Sequence, residues 1–297
     1  MKISVLICTR NRAASLRSTL EAVFNQVVSE NYDFEVVVVD NASTDATRLT
    51  VAAFISALPA QHFGRLRYCY EARPGLSNAR NAALGLAQGD ILAFIDDDIL
   101  PDASWLDELS REFNTDSTLC LLGGRVLLAK DTLQPIGIVT SKQRRHFTTP
   151  DCSALVIGAN LAFRRELVAK IGGFDPRLGT GSTFAAGEDV DFVYRAMKAG
   201  YQLLYAPTVT VYHNHHRQTH AQACQLEYSS GQGAIAYFMK HVLKADWFAL
   251  KVAYWSLLKA MKHALGLTSV PPEVSARNRA YLRGVIKGVI PALVRMW

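Results

Sequence analysis

Four short runs of branched and aromatic residues, separated by helical patterns, constrain this chain's fold more than any other feature. "KISVLICT", "FEVVVVDN", "RLRYCYE" and "DILAFIDDD" have the character of strands. Between them lie "AASLRSTLEAVFNQ", "DATRLTVAAFISAL" and "LSNARNAALGLAQ", whose apolar spacing fits amphipathic helices. Strand alternating with helix predicts an α/β fold with a parallel sheet covered on both faces. In such sheets ligands collect beyond the carboxyl ends of the strands. The polar segments "TRNR", "DNASTD", "EARPG" and "DDD" all fall there, so one crevice at four strand ends is expected.

At 297 residues, 49% of them hydrophobic, the chain can bury a full core, which excludes a disordered protein. The expected division is one large domain over residues 1–220 and a basic, helical region over 221–297. Cys8, Cys69, Cys120, Cys152 and Cys224 are odd in number and include no C-x-x-C pair. Neither a disulfide framework nor a thiolate zinc site is indicated, and a reducing, cytoplasmic setting is expected. "MKISVLICTRNR" reads as a strand, not a signal peptide, and no apolar stretch is long enough to span a bilayer. From Lys240 to Trp297 ten lysines and arginines face only Asp246 and Glu273, so the positive excess lies in the tail.

The strand-end loops carry distinct chemistry. Ser43, Thr44 and Asp45 are placed to cap the helix after the second strand, while Asp40, directly after four valines, can accept the ring N–H of a pyrimidine. Pro74-Gly75 makes a turn, Ser77 is a candidate cap, and Arg80 is expected in the first helical turn with an anionic partner, either phosphate or nearby aspartates. Asp96, Asp97 and Asp98 at a buried strand end repel one another unless a positive group lies between them. Along an extended chain Asp96 and Asp98 share a side and Asp97 faces away, which suits Mg²⁺ or Mn²⁺ bound through carboxylates and phosphate oxygens.

Together "ICTRNR", "VVVVDNASTD", "RPGLSNARNAAL", the Asp96-Asp97-Asp98 form of D-x-D, "IGANLAFRRELVAKIGGFDP" and "GEDVDFVYRAMKAGY" resemble the inverting glycosyltransferases of family two. The motifs run in the family's order from Ile3 to about His213, over two thirds of the chain. D-x-D alone is a weak signal; the ordered set is specific. The resemblance implies a GT-A fold, Rossmann-like and mostly parallel, with a C-terminal helical extension. It implies transfer, with inversion, from a UDP-, GDP- or dTDP-linked sugar to a sugar or lipid-linked acceptor. The expected cofactor is Mn²⁺ or Mg²⁺, and the setting polysaccharide, lipopolysaccharide or other glycoconjugate synthesis. Thr9, Asp40 and Arg73 then look like nucleotide contacts, and Arg10, Asn11, Asn41, Arg80 and Asp97 complete that side. Asp96 is a ribose or metal-side contact and Asp98 the direct metal ligand. His213, after "TVTVY", fits a third ligand. Glu188-Asp189 match the "ED" pair, with the aspartate as general base. Asn160 in "GANLAF" borders the acceptor in similar enzymes, although a Gly-Ala-Asn turn also suits a structural role.

Alternatives stand beside these readings. Glu188, Asp189 and Asp191 also suit the acidic start of any helix. His213, His215, His216 and His220 lack the zincin spacing, and those beyond His213 are expected to mark a polar exit from the domain. Lys240, Lys244, Lys251 and Lys262 fall on one helical stripe beside Trp247, Trp255 and Leu258. That stripe suits peripheral attachment to an anionic cytoplasmic membrane face, or a helix packed on the catalytic domain with its lysines snorkelling. Nucleic acid is not an expected partner, since no recognition module accompanies the charge. No Q-x-x-R-W motif marks a processive synthase. A nucleotidyltransferase would carry a glycine-rich basic loop, which "CTRNRAASL" is not, and a non-catalytic nucleotide-sugar-binding scaffold would tolerate loss of the acids.

Overall fold

Val36, Val37, Val38 and Val39 are buried on both sides of the sheet, as a central parallel strand requires. The computed structural model describes residues 1–27, 32–149 and 157–296. Strand β1 (Lys2–Thr9) is followed by α1 (Ala13–Phe24), β2 (Asp33–Asp40), α2 (Thr47–Ala57), β3 (Leu66–Tyr70), α3 (Leu76–Leu86) and β4 (Ile91–Asp96). Then come β5 (Ile99–Pro101), α4 (Trp105–Thr115), β6 (Leu121–Leu128), β7 (Arg145–Phe147), β8 (Leu161–Arg164), α5 (Arg165–Ile171), α6 (Glu188–Lys198) and β9 (Leu203–His213). Three helices close the chain: α7 (His220–Val242), α8 (Trp247–Ala264) and α9 (Pro272–Arg295).

The sheet order is β3-β2-β1-β4-β8-β6-β9-β5, with β7 also paired to β9. The four strands of the alternating region are parallel, as their helical crossovers require. Past β4 the directions mix: β8 runs antiparallel to both β4 and β6, whereas β6 and β9 are parallel. Period-two alternation sends Ile3, Val5, Ile7, Val36 and Val38 to a core shared with Leu16, Leu20, Val51 and Trp105. Leu6, Val37, Val39, Leu92 and Phe94 go to the opposite core, against Ala79, Ala83 and Phe192. Helices therefore cover both faces. The register places Thr9 opposite Asp40, Asp40 opposite Tyr70 and Cys8 opposite Asp96, so the polar strand tips align.

The C-terminal helices pack against α6 and the segment that leads into it. Leu178, Phe184 and Tyr194 share one apolar cluster with Ala236, Tyr237, Ala249, Ala253 and Ala292. At its edge Asp191, fully buried, meets Lys240 Nζ at 2.9 Å, His241 Nε2 at 2.9 Å and Arg195 Nε at 2.8 Å. Lys240 also lies 2.9 Å from Asp175. The expected single stripe of lysines is thereby corrected, because Lys240 is an internal ion-pair partner and not a surface group. The helix itself breaks as well. Asp246 accepts the backbone N–H groups of Phe248 and Ala249 and starts α8 afresh, putting Lys251 and Lys262 on a different helix from Lys240.

Burial alone would raise the Asp191 carboxyl, yet His241, Arg195 and Lys240 outweigh it and bring it to about 2. A depressed carboxylate contributes stability above its unfolded value near 3.9 and loses it as pH falls toward the folded value. Asp191→Asn should therefore destabilise the neutral protein by about 2 kcal/mol, the scale of that shift. Denaturant titrations between pH 6 and 2 should show the gap between wild type and variant closing below about pH 4. A constant gap would refute the electrostatic assignment.

Candidate functional site

Strand β4 ends at Asp96, and Asp97-Asp98 turn the chain into β5. The turn overrides extended-chain alternation, so Asp97 is not directed away. All three carboxylates line one cavity of about 490 Å³ at the strand tips. Pairing of Ile99 with His213 across β5 and β9 sets the imidazole beside the acids. His213 Nε2 is 3.2 Å from Asp98 Oδ1, and its Nδ1 is 3.1 Å from the Gly137 carbonyl oxygen. Arg12 Nη1 lies 3.1 Å from the other Asp98 oxygen. Burial would raise Asp98, but His213, Arg12 and Arg217 prevail and hold it at about 2. Asp97 accepts the Thr9 hydroxyl at 2.6 Å, and burial still pushes its carboxyl up to about 7.

Two ligands at right angles on an ion with bonds of 2.0–2.1 Å stand about 3 Å apart, so the Asp98–His213 pair has the span of neighbouring metal ligands. A Gly137 carbonyl accepting Nδ1–H would leave the Nε2 lone pair, on the Asp98 side, to ligate a cation. Asp96 reaches the same wall with its side chain 38% exposed. Among the described residues no three His, Cys, Asp or Glu side chains converge as a ready cage. A hard divalent cation held by one or two side chains plus phosphate oxygens fits these donors.

Helix α3 begins at Leu76 after Gly75, so two local expectations are corrected. Ser77 is inside the helix and donates its hydroxyl to the Leu178 carbonyl at 2.7 Å instead of capping. Arg80 lies in the second turn, buried against the rings of Phe94 and Phe174 at 5.6 and 5.3 Å. Its anionic partners are carboxylates: Glu188 at 3.0 Å and Asp96 at 3.6 Å. Burial first, and Asp189 next, raise the Glu188 carboxyl against the pull of Arg80. Asp189 is held differently. Its oxygens accept backbone N–H groups from Gly158 at 2.7 Å and Val190 at 2.8 Å. It lines the strand-tip cavity and also a second cavity of about 360 Å³ behind it.

Thr9, Arg10, Asn41, Arg80, Asp96, Asp97, Asp98, Glu188, Asp189 and His213 all line the first cavity. Asn41 clamps the 71–75 loop, donating to the Arg73 carbonyl at 2.7 Å and accepting the Gly75 N–H at 2.8 Å. Asp40 is buried behind that wall, accepting the Ser43 N–H and the Tyr68 hydroxyl. Asn11 ties its loop to Thr44, and Arg73 is an exposed partner of Glu71. Asn160 does not line the cavity: its amide bridges Trp105 Nε1, the Arg125 carbonyl and the Val209 carbonyl inside the core. Nor is His215 a polar exit, since it is buried 3.1 Å from the Gln134 carbonyl. Arg12 and Arg217 escaped sequence reasoning although both line the cavity. Their only sequence signal is the basic character of "TRNR" and "HHRQ".

Residues 4–172 match the family model Glycosyl transferase family 2, and residues 91–296 match Glycosyl transferase family group 2. The chain is 27% identical over 240 residues to the pre-mycofactocin glycosyltransferase of Mycobacterium tuberculosis, covering 78% of this chain. It spans 47% of that protein, about half its length. It is also 27% identical over 311 residues to the succinoglycan biosynthesis protein ExoM of Rhizobium meliloti, covering 99% of this chain and 93% of that one. Among solved structures it is similar to the Pyrobaculum calidifontis mannosyltransferase PcManGT in complex with GDP-Man and Mn²⁺. That match has a TM-score of 0.67 at 22% identity, covering 97% and 86% of the two chains. It is likewise similar to S. aureus TarS 1-349 in complex with UDP-GlcNAc, with a TM-score of 0.61 at 17% identity and coverage of 98% and 90%. These likenesses show the fold, which is GT-A.

Proposed function

Since the chain belongs to glycosyl transferase family 2, we propose that it moves a sugar from a nucleoside-diphosphate donor to an acceptor hydroxyl with inversion. The observation that carries this reading is the shared cavity lined by Asp98, His213, Arg12, Arg217 and Asp189. Asp98 and His213 would hold Mn²⁺ or Mg²⁺, with Asp96 beside them. A bound divalent cation would neutralise charge building on the departing diphosphate. Arg12 and Arg217 add fixed positive charge along that wall, where diphosphate oxygens would lie. Thr9, Arg10 and the Asn41-clamped loop form the nucleotide side. The N–H groups of Gly158 and Val190 hold the Asp189 carboxylate in one orientation, ready to take the acceptor's proton. Glu188 is already paired to Arg80, which leaves Asp189 the better base. The name of the Rhizobium relative supports a setting in polysaccharide or other glycoconjugate synthesis.

A partner surface belongs to the same proposal. Helix α8 exposes Trp247, Leu250, Tyr254, Met261 and Leu265 at helical spacing, with Lys251, Lys259 and Lys262 also exposed. Aromatic residues with lysines on one helix suit the headgroup zone of an anionic membrane, where a lipid-linked acceptor would be presented. Among the described residues no helix is long and apolar enough to cross a membrane.

Incubation of the purified protein with UDP-, GDP- and dTDP-sugars and Mn²⁺ tests the reading as a whole. Turnover is expected, and binding without turnover would favour a scaffold. Asp98→Asn removes charge at nearly constant volume and should abolish Mn²⁺-dependent nucleoside-diphosphate binding in calorimetry, while an unchanged metal affinity would refute the assignment. Asp189→Asn should keep donor binding yet slow transfer by about two orders of magnitude or more, the scale of general-base catalysis. If Glu188→Gln is the slower variant, the two roles are exchanged. In co-sedimentation, binding to anionic vesicles should weaken with salt but persist, because each lysine contributes about 1 kcal/mol and the aromatics are salt-resistant. Charge reversal of Lys251, Lys259 and Lys262 should remove most of it. Equal binding to neutral vesicles would argue against the electrostatic part.

A further inference from the structure

The second cavity has walls of a different kind from the first. It runs from Asp189 between the start of α6 and the three C-terminal helices, and Ile157, Thr180, Glu188, Asp189 and Leu226 border both spaces. Apart from Glu188 and Asp189 at its mouth, its described lining carries no charged side chain. Leu226, Ala234, Val252 and the rings of Tyr237, Phe238 and Tyr281 make up most of it, and the hydroxyl-bearing Thr180, Ser230, Tyr237, Ser256 and Tyr281 supply its uncharged polar side chains. Its volume of about 360 Å³ is within the range of small-molecule sites, and apolar walls with few polar groups are the usual composition of such sites.

The packing that forms this slot is close and specific. Helix α7 presses on the segment that leads into α6: a Cβ on Gly233 would stand 2.3 Å from the Ala186 carbonyl oxygen. Helices α7 and α9 cross just as tightly, since a Cβ on Gly284 would stand 1.9 Å from the Tyr228 carbonyl oxygen. Neither contact tolerates a side chain. The crossing brings Tyr281 to the slot, and the α8 residues Val252 and Ser256 close its outer wall. The tail helices therefore complete a compartment that meets the strand-tip cavity at Asp189.

Displacement with inversion requires the acceptor hydroxyl to approach opposite the leaving diphosphate, with its proton within reach of the base. If the diphosphate lies along Asp98, His213 and Arg12, the acceptor comes from the Asp189 side, where the second cavity opens. Resting on the glycosyltransferase reading, we propose that this slot is an acceptor subsite for an apolar aglycone, an alkyl chain or aromatic ring attached next to the accepting hydroxyl. A bare sugar would leave the aliphatic and ring surfaces of Leu226, Phe238 and Val252 without an apolar partner, whereas an apolar group would cover them. Trp255 and Lys251, the residues just before Ser256 and Val252 on α8, are exposed.

Glycosides of one sugar with no aglycone, an n-octyl aglycone and a phenyl aglycone test the proposal. Calorimetry in the presence of nucleoside diphosphate and Mn²⁺ reads binding without requiring turnover, so failure of the slot is separable from failure of the transferase reading. The octyl or phenyl glycoside should bind at least about tenfold tighter than the free sugar, the scale of burying two or three methylene groups. Preference for octyl would identify a lipid chain, and preference for phenyl an aromatic acceptor. Ala234→Trp and Ser256→Phe, which fill the slot, should bring the affinity ratio of aglycone-bearing to free sugar toward one, with the melting temperature as the check on folding. Equal affinity for all three ligands in the unaltered protein would overturn the proposal, as would a preference that both filled variants retain.

Discussion

A buried guanidinium in contact with two carboxylates holds the centre of this structure together. Arg80 extends from α3 between Phe94 of β4 and Phe174, and its charge is shared by Asp96 at the strand tip and Glu188 at the start of α6. Removing such a cation leaves buried carboxylates without compensation, which is more damaging than the loss of an exposed pair. The aromatic faces restrict the direction in which the guanidinium points, and the two acids fix its plane. Three elements distant in sequence are thus set at one angle by one side chain. The strand-tip wall with Asp96 and the α6 wall with Glu188 are thereby tied together.

The helix that carries the proposed base, Asp189, is anchored two residues later. Asp189 points into the cavities, whereas Asp191 faces the other way and binds Lys240, His241 and Arg195. Successive helical positions are separated by about 100°, so residues two apart face roughly opposite sides. One turn of α6 therefore both lines the cavities and attaches the C-terminal helices. The tail cannot be regarded as a free appendage, because its ion pairs are made to the helix that carries the proposed base.

The parallel half of the fold was legible because branched runs and helical spacing are local signals with one structural solution. Thr9, Asp96, Asp98, Asp189 and His213 were legible for a second reason, their position at strand or helix ends in an ordered set of motifs. Other features had no local signature. Arg12 pairs with Asp98 across 86 positions, and Asp191 meets His241 across 50. Asn160 reads as a turn residue by the surface, yet Trp105 and two carbonyls absorb its whole amide in the core. The break between α7 and α8 could have been read from Asp246, an acid directly before "WFALK", which is a common helix start. Counting lysines at helical spacing through that acid produced the stripe that the fold divides.

Charge and apolar surface are separated along the path a substrate would take. The strand-tip cavity presents Arg10, Arg12 and Arg217 with the acids, a setting for diphosphate, while the space beyond Asp189 is walled by the tail's aliphatic and aromatic side chains. Water is a competing acceptor wherever the base is exposed to it, and an apolar compartment on the acceptor side lowers its local concentration. Helices α7, α8 and α9 then do more than cover α6. Under the proposed transfer, they would enclose the side from which the hydroxyl comes and make selection of the acceptor a property of the tail, with recognition of the donor left to the α/β sheet.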